Sequence, residues 1–288
     1  MMKTCRPQGG WRVRSPIGRL LLAHLRYLEV DAAVGDGDAF PFSVPAVRTL
    51  ETLDLSTPVT FFVGGNGSGK STLLEAIAAA ARLPAVGSVE VDQDRSLEQQ
   101  RRLARAFRLV WNRRTHRGFF LRAEDFFGFA RRMAQLRADL RQRIDEVEVE
   151  YRDRSGLARG LAQGPLHASL ADMTRLYGED LDANSHGESF LRLFQSRFIP
   201  DGLYLLDEPE AALSPQSQLA LLSLLKAMVE EDAQFIIATH SPIVLAFPGA
   251  AIYSFDSAPI VRTTYDDLEH VWLTRSFLND PQRFLRQL

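Results

Sequence analysis

Short apolar runs and helical periodicities alternate along most of the chain. Several runs carry β-branched and aromatic residues, which is typical of buried strands, whereas longer stretches repeat their apolar positions with a helical period. The predicted strands are residues 20–30, 59–63, 118–122, 203–208, 234–239 and 252–255, and the predicted helices are residues 72–81, 124–151, 189–198 and 216–231. This alternation predicts an α/β fold with a mainly parallel sheet that is covered by helices.

Three further stretches have weaker patterns. Residues 42–45 fit an edge strand, because proline is tolerated at a sheet edge. Residues 96–111 fit a helix or a mixture of helix and strand. Residues 152–166 contain three glycines and Pro165, and this composition predicts a loop.

The stretch at residues 64–72 carries the most specific signal in the sequence. It fits the pattern G-x-x-x-x-G-K-[ST] and lies between a predicted strand and a predicted helix. Glycines let backbone N–H groups turn toward an anion, and the helix N-terminus adds partial positive charge. Lys70 is expected to reach the β- and γ-phosphates of a nucleotide as a catalytic group, and Ser71 to bind Mg²⁺. The predicted nucleotide-binding residues are Gly64, Gly65, Asn66, Gly67, Ser68, Gly69, Lys70, Ser71 and Thr72.

Polar side chains also follow two later strands. Asp207 and Glu208 come at the end of one predicted strand, and His240 comes after the next one. Ligands of such sheets bind at the carboxyl ends of the strands, so these side chains are expected to converge on the phosphate loop. We expect Asp207 to bind Mg²⁺ opposite Ser71. We expect Glu208 to orient or deprotonate the attacking water, and His240 to donate a hydrogen bond to the γ-phosphate.

Two aromatic residues, Phe40 and Phe42, precede the phosphate loop by about two dozen positions. They fit either of two roles. Their rings can stack on an adenine base, or they can pack in the core or against a sheet edge.

The motifs together resemble those of ABC-class ATPases, and more closely those of small AAA_21-like ATPases related to SMC and recombination ATPases. The resemblance covers residues 20–256. It implies the following motifs in chain order: a Walker A loop at 64–71, a Walker B strand at 203–207, a catalytic glutamate at Glu208, a D-loop at 212–214 and a switch histidine at His240. The implied fold is an ABC-type P-loop NTPase with antiparallel N-terminal strands.

The resemblance also implies a signature loop ahead of the Walker B strand. In the family this loop contacts the nucleotide of a second subunit, so Ser185, Gly187 and Glu188 are expected to bind ATP that another protomer holds. The implied assembly is a homodimer around two Mg-ATP, and the implied activity is ATP hydrolysis. The implied domain spans residues 17–288, with an arginine-rich helical subdomain at about 95–198 inserted between Walker A and Walker B.

One departure from the family bears on function. Transporter subunits of this class carry a glutamine that couples the nucleotide to the membrane partner, near the strand at 118–122. Here Arg122 or Glu124 occupies that neighbourhood. The departure argues against coupling of the transporter type. The expected function is therefore that of an ATPase that acts as a switch, in DNA repair or defence. The nucleotide-binding subunit of an ABC transporter is the alternative.

Composition bears on the partners. The hydrophobic fraction of 45%, the charged fraction of 24% and the net charge of −2 are ordinary for a soluble globular protein. Residues 101–143 nevertheless hold thirteen arginines. These fit either a nucleic-acid-binding surface or a solvated helical face that pairs with acids elsewhere. A defence role would require a separate effector protein, since no nuclease or protease motif is present.

Cysteine content and hydropathy bear on location. Cys5 is the only cysteine, so no disulfide framework forms within the chain, and a reducing compartment fits. No apolar run approaches the length of a membrane span, and the N-terminus lacks the pattern of a secretory signal. The sequence therefore predicts a cytoplasmic protein without a membrane span.

Overall fold

Two β-sheets form the framework of the computed structural model, which describes residues 23–31, 39–86, 98–177 and 186–286. The larger sheet has the strand order β5 (Gly118–Arg122), β6 (Leu203–Asp207), β7 (Gln234–Ala238), β3 (Val59–Val63), β8 (Ala251–Ser254) and β9 (Val261–Thr263). Its first five strands are parallel, and β9 pairs with β8 in the antiparallel sense. The smaller sheet is antiparallel, with the order β2 (Thr52–Asp54), β1 (Leu25–Val30) and β4 (Phe107–Trp111).

Helices connect and cover these strands. They are α1 (Pro45–Arg48), α2 (Lys70–Ala81), α3 (Glu98–Arg105), α4 (Ala123–Glu150), α5 (Gly156–Tyr177), α6 (His186–Arg197), α7 (Pro215–Glu230), α8 (Glu269–Asn279) and α9 (Pro281–Leu285). Short 3₁₀ turns occur at Pro209–Ala212, Val244–Ala246 and Tyr265–Asp267. Within the described ranges, no helix combines the length and the apolar character that a membrane span requires.

The larger sheet is buried on both faces. Every residue of β3, β6 and β7 is buried, as expected for parallel strands between layers of helices. Alternate side chains enter separate cores: Tyr204 and Phe235 pack with residues of α6 and α7, whereas Leu205 and Ile236 pack with residues of α2 and the smaller sheet. This two-sided burial confirms the predicted α/β fold and its mainly parallel sheet.

One buried amide joins the two sheets. The side chain of Gln234, at the start of β7, has no solvent exposure. Its Oε1 atom accepts a hydrogen bond from the Leu25 N–H at 2.7 Å, and its Nε2 atom donates to the Leu25 carbonyl at 3.0 Å and to the Leu55 carbonyl at 2.7 Å. These bonds satisfy backbone groups at the start of β1 and just after β2 that would otherwise be buried without partners.

Most predicted elements are confirmed within a few residues. The predicted strand at 20–30 is described from Leu25 onward, and its residues 20–22 lie outside the described ranges. The mixed prediction for residues 96–111 is confirmed, because α3 is followed by β4. The prediction of an edge strand at 42–45 is wrong. This segment forms a turn and the first residue of α1, because Pro45 suits the first helical position, where no N–H is needed.

The predicted loop at 152–166 is correct only for residues 152–155, because α5 begins at Gly156 and continues through Pro165. Contacts with α4 explain the difference. The Glu148 carboxylate of α4 accepts hydrogen bonds from Arg159 at 2.8 Å and from Gln163 at 2.9 Å. Helix-breaking composition is a weak preference, and packing against a neighbouring helix overrides it here.

Candidate functional site

The phosphate loop lies where β3 ends and α2 begins, as the sequence predicts. Its backbone takes left-handed conformations, with φ of 145° at Gly64 and 102° at Gly69. At Gly69 a Cβ atom would lie only 2.6 Å from the Cγ1 atom of Val44, so both the backbone and the space require glycine. Between these two glycines, Asn66 and Gly67 are exposed. After them, Thr72 is half-buried in the first turn of α2. The loop therefore presents backbone N–H groups at a helix N-terminus, which is the arrangement that binds phosphate.

Lys70 lies beneath the loop and is 4% exposed. Its Nζ atom donates hydrogen bonds to the carbonyl oxygens of Gly64 at 2.6 Å and Gly65 at 3.0 Å. Burial lowers the pKa of Lys70, and the charges of nearby carboxylates oppose this shift. A buried ammonium whose partners are two neutral carbonyls is suited to receive an anionic ligand.

Ser71 and Asp207 are brought together as predicted. Asp207 ends β6, is 8% exposed and accepts a hydrogen bond from the Ser71 side chain. Burial raises the pKa of Asp207 to about 6, with the charge of Glu208 adding to the shift and the bond from Ser71 opposing it. Among the described residues, nothing donates a hydrogen bond to the Asp207 Oδ1 atom, which is buried. A buried carboxylate oxygen without a partner, beside a hydroxyl group, fits the oxygen ligands that Mg²⁺ prefers.

Glu208 and His240 face each other at the ends of neighbouring strands. The Nε2 atom of His240 lies 3.6 Å from the Oε1 atom of Glu208, and both side chains are partly exposed. Glu208 has a φ of 50°, which is unusual for a residue with a side chain, and its N–H donates to the Ala238 carbonyl at 2.9 Å. Glu210 accepts a hydrogen bond from the backbone N–H of His240 at 2.7 Å. The strand-end prediction thus places an acid and a histidine within one site.

The structure does not test the predicted signature residues. Ser185 lies outside the described residues. Gly187 and Glu188 lie in the first turn of α6, and the surroundings of both residues are outside the described part of the structure. Their predicted contact with a second protomer's nucleotide stays a prediction.

The aromatic residues ahead of the loop separate into two environments. Phe42 is 7% exposed and packs in a small core with Leu103 and Ala76, so the prediction of core packing is correct for this ring. Phe40 is 49% exposed. The stacking role therefore stays a prediction for Phe40 alone.

Sequence reasoning missed Asp256 and His270 beside the loop, and it named Arg122 without predicting its partner. Arg122 ends β5 beside Asp207 in the sheet register, and its Nη2 atom lies 2.6 Å from the Glu75 Oε1 atom in a buried ion pair. Asp256 follows β8, and its Oδ1 atom accepts a hydrogen bond from the Gly65 N–H at 2.8 Å. His270 lies in the first turn of α8, where burial and then the charge of His240 lower its pKa. Asp256 follows an apolar strand as Asp207 does, and that signal could have identified it.

The arginines of residues 101–143 are distributed over several surfaces. Arg137 is 4% exposed. Arg122 is 14% exposed in its pair with Glu75. Further ion pairs join Arg108 to Glu29, Arg113 to Asp201 and Arg143 to Glu146. These contacts favour the alternative in which many of the arginines pair with acids of the same chain.

Comparison with known proteins identifies the family to which the chain belongs. A family model described as "AAA domain, putative AbiEii toxin, Type IV TA system" matches residues 95–246, which is just over half of the 288 residues. A second model, described as "AAA domain", matches residues 43–82, which include the phosphate loop. The chain belongs to the AAA_21 family. It is therefore an ATPase of the ABC/AAA type, as the motifs predict.

Several relatives of this AAA_21 chain carry the names of import ATPases. The cobalt import ATP-binding protein CbiO of Salmonella paratyphi A is 24% identical, over 81% of this chain and 83% of that protein. The hemin import ATP-binding protein HmuV of Nocardia farcinica is 30% identical, over 76% of this chain and 71% of that protein. Among solved structures, the SMC head domain from Thermotoga maritima is 15% identical, with 83% of this chain and 99% of that chain covered and a TM-score of 0.42.

Proposed function

We propose that this ATPase hydrolyses Mg-ATP and closes as a homodimer around two bound nucleotides, so that it acts as a nucleotide-dependent switch. The observation that carries the proposal is the convergence of Ser71, Asp207 and the Glu208–His240 pair at the carboxyl ends of three adjacent parallel strands. This convergence supplies a metal ligand pair, an acid and a hydrogen-bond donor next to one phosphate-binding loop.

Each group has a role that follows from its surroundings. Lys70 would exchange its two carbonyl partners for phosphate oxygens, because a charge-assisted bond is stronger than a bond to a neutral carbonyl. Ser71 and Asp207 would hold Mg²⁺, which supplies positive charge against the phosphates when it is bound. Glu208 would orient the attacking water and accept its proton.

His240 would donate a hydrogen bond to the γ-phosphate from Nε2. That atom is buried and has no hydrogen-bond partner among the described residues, since its contact with Glu208 is 3.6 Å long. A donor that is fixed in place before the reaction stabilises charge without reorganisation. The backbone bond to Glu210 holds the residue in position.

A second protomer would complete the site. Gly65, Asn66 and Gly67 are exposed, so the phosphate loop faces solvent in the single chain. Hydrolysis with a positioned water benefits from exclusion of bulk solvent, which a covering surface provides. In this proposal the covering surface carries Ser185, Gly187 and Glu188 of the partner.

The test is the solution mass of the Glu208→Gln variant, measured by light scattering with and without Mg-ATP. The substitution removes the proton acceptor and leaves the phosphate loop intact, so ATP should convert a monomer into a stable dimer. Ser185→Ala in the same background should prevent the dimer. Ser169→Ala, an exposed serine of α5, serves as its matched control and should not. An unchanged mass with ATP shown to be bound would contradict the dimer, and absence of ATP binding would contradict the whole proposal.

The names of the relatives favour a second candidate, the nucleotide-binding subunit of an importer. Against it, Arg122 stands near the position of the coupling glutamine and is held in a buried pair with Glu75. Purification of the tagged chain from detergent-solubilised membranes distinguishes the two. A stoichiometric integral membrane protein that co-purifies would favour the importer.

We propose that the switch serves DNA repair or defence. A defence role would also involve a separate effector protein. Nucleic acid would contact exposed arginines of the 101–143 region. Binding to a labelled duplex should then weaken steeply as salt is raised, because phosphate contacts release counterions. Absence of binding at low salt would remove nucleic acid from the proposal.

A further inference from the structure

The strand β8 continues its contact with β3 into the phosphate loop. Val63 pairs with Ser254 in the parallel register, and the Phe255 N–H then donates to the Val63 carbonyl at 2.7 Å. One residue later the backbones diverge, and the Asp256 Oδ1 atom accepts the hydrogen bond of the Gly65 N–H at 2.8 Å. A side-chain carboxylate thus takes the place that a strand carbonyl would have in the ladder.

The carboxylate is itself held in place. Its Oδ2 atom accepts a hydrogen bond from the Ser254 hydroxyl at 3.0 Å, and the Asp256 N–H donates to the same hydroxyl oxygen at 3.3 Å. Both carboxylate oxygens therefore have donors. A carboxylate fixed in this way has little freedom to leave the Gly65 N–H.

The bond to Asp256 fixes one particular peptide of the loop. The carbonyl of Gly64 and the N–H of Gly65 belong to the same peptide plane and point in opposite directions. The carbonyl accepts from the Lys70 ammonium at 2.6 Å, while the N–H donates to Asp256. This peptide thus lies between a cation and an anion in the loop without nucleotide. When Lys70 turns to the phosphates, the bond to Asp256 is the one that would remain to hold the peptide.

Close packing supports the same orientation. A Cβ atom at Gly64 would lie 3.0 Å from the Cβ atom of Phe255 and 3.1 Å from the Ser68 hydroxyl oxygen. Phe255 is 4% exposed, and its ring lies 5.0 Å from the ring of Phe62. The end of β8 is therefore a fixed platform under the first residues of the loop.

We propose that Asp256 is a positioning residue for nucleotide binding, which holds the Gly64–Gly65 peptide so that the loop keeps its phosphate-binding shape. The inference rests on the proposed nucleotide site and adds to it a residue that follows β8, the neighbour of β3 on the side away from β7. Because the loop surrounds the β-phosphate, the contribution of Asp256 should be the same for ATP and ADP.

The test measures the dissociation constants of Mg-ATP and Mg-ADP by calorimetry for a set of matched variants. Asp256→Ala removes the acceptor and should weaken both nucleotides by about tenfold, which corresponds to the loss of one charge-assisted bond. Asp256→Asn keeps an oxygen acceptor without the charge and should stay within about threefold of the wild type. Ser254→Ala should weaken both nucleotides by a smaller factor. Asp153→Asn, an exposed acid in the turn after α4, controls for net charge and should have no effect.

The outcomes separate positioning from other roles. Equal weakening by Asp256→Ala and Asp256→Asn would assign the effect to charge and overturn the inference, as would tighter binding to Asp256→Ala. If Asp256→Ala does not fold by circular dichroism, Asp256→Asn and Ser254→Ala decide the question. If the wild type binds neither nucleotide, the proposed function fails. If the wild type binds and Asp256→Ala binds equally well, the inference alone fails.

Discussion

The Nε2 atom of His240 lies 3.6 Å from a carboxylate oxygen of Glu208, at the ends of two neighbouring parallel strands. The two residues reach this distance although 32 positions separate them in the sequence. The left-handed backbone of Glu208 turns the chain out of β6 into the 3₁₀ turn Pro209–Ala212. Strain of this kind in a residue with a side chain is frequent at functional sites.

The first prediction concerns His240. In His240→Ala, nucleotide binding should be preserved, while the turnover rate should fall by about 100-fold, because a donor to the transition state is lost. His240→Gln retains a donor and should keep a larger part of the rate. Steady-state phosphate release measures both variants. A raised KM with an unchanged kcat would show that His240 contributes to binding instead.

The second prediction concerns pH and Asp207 in the absence of Mg²⁺ and nucleotide. The pKa of this carboxyl group is raised from 3.8 to about 6 in the folded protein, so the folded state binds a proton more tightly than the unfolded state. The free energy of unfolding should therefore fall as pH rises from about 4 to about 6, by an amount on the order of 2–3 kcal/mol. Above about pH 6 the full penalty applies.

Asp207→Asn removes this penalty. Relative to wild type, the variant should be more stable near neutral pH, and its free energy of unfolding should change less between about pH 4 and about pH 6. Urea unfolding of both proteins across this range provides the measurement. Mg-ATP should stabilise the wild type, because a ligand that binds only the folded state stabilises that state. The effect should be weaker in the variant, because it lacks the carboxylate that is proposed to bind Mg²⁺. Parallel pH profiles for the two proteins would show that Asp207 is not the group responsible.

The third prediction concerns Gln234, whose amide joins the two sheets. Gln234→Leu leaves the Leu25 N–H and the Leu25 and Leu55 carbonyls buried without partners. The expected cost is about 3 kcal/mol in the free energy of unfolding. Gln216→Leu, at an exposed position of α7, is the matched control and should be nearly neutral. A comparable loss in the control would assign the effect to the added apolar surface.

Local signals predict the phosphate loop and the strands around it well. A phosphate loop requires glycines that allow its backbone conformation, a lysine and the start of a helix. All three are encoded within nine consecutive residues. Asp207, Glu208 and His240 are predictable for a second reason, because parallel strands bring their carboxyl ends to one edge. Asp256 obeys the same rule, but a single acid before a turn gives a weaker signal.

Long-range contacts explain what the sequence does not predict. Helix α5 contradicts its own composition because Glu148, on another helix, binds two of its residues. Strand β9 is three residues long and largely exposed, so it lacks a hydrophobic pattern of its own. The sequence also does not predict the partner of Arg122, because Glu75 lies 47 positions away on a different element.

The fourth prediction concerns this Arg122–Glu75 pair. Its side chains are only 14% and 9% exposed, and Arg122 also lies over the ring of Phe120 at 5.5 Å. Burial raises the pKa of Glu75, and the charge of Arg122 opposes this shift. Arg122→Ala should therefore lower the free energy of unfolding by about 3–5 kcal/mol, because it leaves a buried carboxylate without its cation.

A double-mutant cycle tests this assignment. Adding Glu75→Ala to Arg122→Ala should recover part of the loss, with a coupling energy of about 1–3 kcal/mol, because the uncompensated charge is then removed. The exposed Arg143–Glu146 pair, with an N–O distance of 2.8 Å, offers a matched control in the same chain. Solvent screens that pair, so Arg143→Ala should leave the urea midpoint unchanged. Additive losses at Arg122 and Glu75 would show that the two side chains stabilise the fold through packing and not through their charges.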